Sequence, residues 1–193
     1  MAPADLPPEA AECVRQGLAA SQANDTTAAL DLFARAAQVA PDSGIPWFLA
    51  GSEHAAAGQV EQAEAAFANA VLLAPEMPLA RYQLGLLQFS TGRAATAALT
   101  WQALLNLPDT HALGHYVRGF MALAADDFAA ARQHCEAGLA CLVPDNPALA
   151  GDIRKLLARL PEQTDALRAD AQPASGEPAP DHVLLSNYRK RSD

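Results

Sequence analysis

Apolar residues along this chain return at helical spacing. The steps i, i+3, i+7, i+10 gather Ala11, Val14, Leu18 and Ser21 on one stripe, then Ile45, Phe48, Ser52 and Ala55. The same stripe recurs as Leu79, Tyr82, Leu86 and Phe89, and again as Leu113, Tyr116, Phe120 and Leu123. Each copy lies 34 residues after the last. No alternating Val/Ile/Thr run argues for a strand. The pattern predicts an all-α chain built from repeated helices.

Other residue classes hold the same period. Gly17, Gly51, Gly85 and Gly119 are 34 apart, as are Ala29, Ala63, Ala97 and Ala131. Phe33, Phe67, Trp101 and Cys135 follow at that interval, and Pro41, Pro75, Pro108 and Pro144 close the units at intervals of 34, 33 and 36. Small residues suit places where two helices approach closely, and a side chain one turn further along can fill the space they leave. Proline cannot continue a helix interior, so each Pro separates one unit from the next. Asn24-Asp25, Gly58-Gln59, Gly92-Arg93 and Asp126-Asp127 are turn formers between the two helices of a unit.

The segment Trp47-x2-Ala50-Gly51-x2-His54…Ala63-x3-Phe67…Pro75 resembles the W-x2-L-G-x2-Y…A-x3-F…P signature of the tetratricopeptide repeat. The resemblance covers residues 10–144. It implies a right-handed solenoid of four antiparallel helix pairs, spanning 9–146 after a disordered N-terminus at 1–8. Unit 1 departs from the signature at Cys13 and Gln16, unit 3 at Arg81 and Gln88, and unit 4 at His115 and Arg118. Asn146-Pro147 opens a further helix whose Leu149, Ile153, Leu156, Leu157 and Leu160 form one stripe, so 147–160 reads as an amphipathic capping helix. The Pro/Ala/Ser-rich remainder, 161–193, is expected to be a flexible tail.

A net charge of −9 argues against nucleic acid as the main partner, because phosphate binding needs a basic surface. No apolar run approaches the ~20 residues of a membrane span. The first eight residues lack the basic start and apolar core of a signal peptide. Three cysteines without a C-x-x-C pair fit a reducing compartment. The expected location is cytoplasmic.

Catalytic signals are poor. The chain has no G-x-S-x-G, P-loop or H-E-x-x-H. His111 and His115, spaced to share a helix face, lie in one unit with His134, Cys135 and Cys141. Two of these hold repeat-packing positions, and the sequence supports no metal, no cofactor and no enzymatic role.

In tetratricopeptide proteins the first helix of each pair lines a concave surface. The resemblance thus makes Ile45, Phe48, Leu79, Tyr82, Leu86, Phe89, Leu113, Tyr116, Phe120 and Leu123 a candidate groove for an apolar or amphipathic peptide. The same stripe could equally be core between repeats. The Lys, Arg and Asn with which tetratricopeptide co-chaperones hold a C-terminal carboxylate are missing from it. The short acidic chain is similar in character to type III secretion chaperones that cradle apolar segments. The expected function is a protein-binding scaffold, adaptor or chaperone-like, and a groove needing cover would also suit a homodimer. A second reading rests on the tail. Val183, Leu184, Leu185 and Tyr188, with basic residues following, could dock segment 182–191 on a larger complex or on the chain's own groove.

Overall fold

The computed structural model describes residues 6–141 and 147–160, and every regular element among them is helical. Nine α-helices follow in order: α1 (Pro8–Gln22), α2 (Thr26–Val39), α3 (Gly44–Ala56), α4 (Val60–Leu73), α5 (Pro78–Ser90), α6 (Ala94–Trp101), α7 (Ala112–Ala124), α8 (Phe128–Leu139) and α9 (Pro147–Leu157). They fall into two compact units that divide between Thr100 and Trp101. Residues 1–5 and 142–146, with Pro144, and the tail from 161 lie outside the described residues.

Each pair is joined by the same turn. Asn24, Gly58, Gly92 and Asp126 have φ of 59°, 72°, 79° and 56°, the left-handed region. The following N–H then reaches back to a carbonyl five residues earlier: Asp25 to Ala20, Gln59 to His54, Arg93 to Gln88 and Asp127 to Ala122, at 2.8–2.9 Å. This six-to-one bond satisfies a carbonyl that the helix end would otherwise strand. Asp25 and Asp127 then cap the next helix, their carboxylates accepting from Ala28 N and Ala130 N.

Small residues set the approach within each pair. A methyl added at Gly51 would lie 2.7 Å from the Phe67 ring, and one at Gly119 2.7 Å from the Cys135 sulfur. In the first unit Leu6, Ala10, Cys13, Val14, Ala36, Ala40 and Ile45 form one cluster, and Ala55, Ala63, Phe67, Leu84 and Leu87 another. In the second unit Trp101 stacks at 5.7 Å on Phe120, and Leu149, Ala150 and Ile153 of α9 are buried. Arg154 and Lys155 of α9 are exposed.

Repeat 3 departs from the regular pair. Its second helix stops being α-helical after Trp101 and tightens into a 3-10 segment at Gln102–Asn106. Arg118 donates to Leu105 O at 3.0 Å, satisfying a carbonyl of that segment. This explains the arginine that stands off the repeat signature. Gln88, another departure, is buried yet fully engaged: it donates to Glu64 at 3.2 Å and accepts from Thr100 at 2.7 Å.

Candidate peptide-binding face

The first-helix stripe divides by burial. Ile45, Tyr82, Leu113, Tyr116 and Phe120 are core. Ile45 belongs to the cluster with Leu6, Ala10 and Cys13; Phe120 lies against Trp101; Tyr116 packs where a Cβ on Gly138 would sit. Gly138 is the sequence signal for that packing, since its repeat equivalents, Ala36, Ala70 and Leu104, all carry a Cβ. Phe48, Leu79, Leu86, Phe89 and Leu123 stay partly exposed.

In the first unit, then, four of the six predicted side chains there remain reachable. Leu86 and Phe89 stand one turn apart on α5, and Phe48 tilts at 49° against Phe67 with ring centroids 6.0 Å apart. Leu18, at the matching place on α1, is 41% exposed. Polar groups of the same unit are paired. Ser21 and Thr26 both hydrogen-bond Glu53, while Arg93 grips Glu64 through two bonds of 2.9 and 2.8 Å. That pairing holds the Glu64 carboxyl below the ordinary carboxylate range. Among the described residues, no Lys or Arg stands at a position of this stripe to hold a carboxylate. In the second unit, only Leu123 of the four predicted residues remains reachable.

The histidines are placed differently from the sequence expectation. His111 lies before the helix as the N-cap of α7, its Nδ1 accepting from Leu113 N at 3.3 Å, so it does not share a helix face with His115. His115 Nε2 donates to Asp109 O at 2.8 Å, which leaves its Nδ1 buried and unbonded. His134 lies 6.5 Å away, ring to ring, and burial foremost, then Arg118 and His115, push its pKa down. Burial raises the Cys135 thiol to about 11, so it stays protonated. Among the described residues no group of three His, Cys, Asp or Glu could hold a metal ion, and no helix is long and apolar enough to cross a membrane. Val183, Leu184, Leu185 and Tyr188 lie outside the described residues.

Paired helices at a 34-residue period, closed by left-handed turns and by Gly–aromatic contacts, define a helical-repeat protein of the tetratricopeptide type. Solved structures agree. The chain is similar to MamA from Desulfovibrio magneticus RS-1 (residues 41 to the end), at 14% identity over 95% of this chain and 92% of that one, with a TM-score of 0.62. It is also similar to a crystal structure of MamA, at 17% identity over 70% of this chain and 79% of that one, TM-score 0.57. At such identities the likeness establishes the fold. No protein-family profile and no curated protein matches the sequence.

Proposed function

We propose that this protein is a non-catalytic interaction scaffold, an adaptor or chaperone-like module, that receives an apolar or amphipathic peptide on the first-helix face of repeats 1–3. The observation that carries this is the partly exposed set Phe48, Leu79, Leu86 and Phe89 in the first unit. Apolar side chains left accessible on a regular scaffold are a common footing for a partner's apolar anchors. Ile45 and Tyr82, buried in the same unit, supply the platform and the exposed four the contact. Leu123 stands at the matching place in repeat 4.

The test is a binding measurement on Leu86→Asp and Phe89→Asp, with partners selected by panning a peptide library on the full chain. Both variants change partly exposed positions, so the far-ultraviolet circular dichroism should keep its helical signal. Binding of the selected peptides should weaken at least tenfold. Peptides that bind both variants as tightly as the parent protein would overturn the assignment of this face.

A further inference from the structure

A cleft lies in the first unit, away from that stripe. Leu30, Ala34 and Ala37 of α2 face Pro46, Trp47 and Ala50 of α3 across a cleft of about 460 Å³. Its polar lining is sparse: Asp31, Gln38 and His54. The His54 ring is already engaged with Gln59 at 2.6 Å, and Asp31 is exposed at the rim. A small polar ligand is held by several converging polar groups, which this cleft lacks. What fits is a short apolar segment with a cationic end beside Asp31.

The sequence contains such a segment. Val183, Leu184, Leu185 and Tyr188 are followed directly by Arg189-Lys190-Arg191, the chain's densest run of positive charge. Residues 1–100, by contrast, hold ten carboxylates and only four arginines. We propose that the α2/α3 cleft is the receptor for residues 183–191 of the same chain. By chemistry, the apolar walls beside Trp47 suit the leucines of that segment and the Asp31 carboxylate suits its basic run. In sequence, 22 residues, 161 to 182, separate the segment from Leu160.

Trp47 is the built-in reporter, because it lines the cleft and is half-buried while Trp101, the other indole, is 1% exposed. Acrylamide quenching would be compared for the full chain and for a chain ending at Asp181. Docking predicts about twofold stronger quenching of the accessible indole after truncation, reversed by millimolar synthetic 181–193 peptide. In the full chain, Asp31→Lys and Leu184→Asp should each reproduce the truncated behaviour. Equal quenching of the full and truncated chains overturns the proposal. So does protection that rises with protein concentration, which would mean exchange of the segment between two copies. Release by Leu86→Asp with no effect of Asp31→Lys would place the segment on the other face, and equally overturns it. Library-peptide binding to that face is a separate measurement, so the two readings fail independently.

Discussion

Gly51 shows how much one missing methyl decides. Its repeat neighbour Phe67 is 1% exposed, and the ring occupies the space a Cβ would need. Gly51→Ala is expected to cost about 1–3 kcal/mol, read as a lower urea midpoint at unchanged slope. His134 carries a pH dependence. Its folded pKa is depressed below the ordinary 6.5, so the unfolded chain takes up the proton more readily. The sign follows from linkage: stability is complete above about 6.5 and falls as the pH drops below it. His134→Gln should flatten that slope between pH 6.5 and 5 in denaturation at a series of pH values. A variant that loses stability on acidification as steeply as the parent would assign the slope to another group.

At the scale of the element, the four intra-pair turns are one device used with different residues. Gly58 and Gly92 have positive φ and nothing within 4 Å of an added Cβ, so alanine there meets only its own backbone. Gly58→Ala and Gly92→Ala should each cost about 1 kcal/mol, with Asn at either site costing less, as Asn24 already occupies this conformation. Equal melting temperatures for the Ala and Asn variants would contradict this. The turns were legible because Asn, Asp and Gly keep the 34-residue step. The tightening of α6 into a 3-10 segment was not. Its sequence, Gln102-Ala-Leu-Leu-Asn106, contains no breaker, and Arg118, from the following helix, bonds it.

On the scale of the molecule, stability in repeats is a sum of local and nearest-neighbour terms. Arg132 of α8 donates to Leu157 O and Leu160 O, at 3.4 and 3.1 Å, closing the end of α9. Arg132→Ala leaves those carbonyls to water and should cost roughly 1 kcal/mol. Hydrogen exchange should speed up in α9 while α1 to α4 keep their protection; uniform loss of protection would show cooperativity that repeats lack. The first-helix stripe illustrates the same locality. Spacing placed ten apolar residues on one helical face, yet whether each is wet depends on the neighbour that covers it. Phe120 is closed over by Trp101 and Tyr116 tucks over Gly138, whereas Leu86 and Phe89 stay reachable.

Sequence alone determined the helix pairs, their period and the turns between them, because helix propensity, proline exclusion and left-handed turn residues act within a few positions. It also determined which residues could line a face. Tertiary structure decided which of those residues water can reach, since burial belongs to the contact and not to the stripe. It also revealed the α2/α3 cleft beside Trp47, formed by residues of two adjacent repeats that no single-helix pattern brings together.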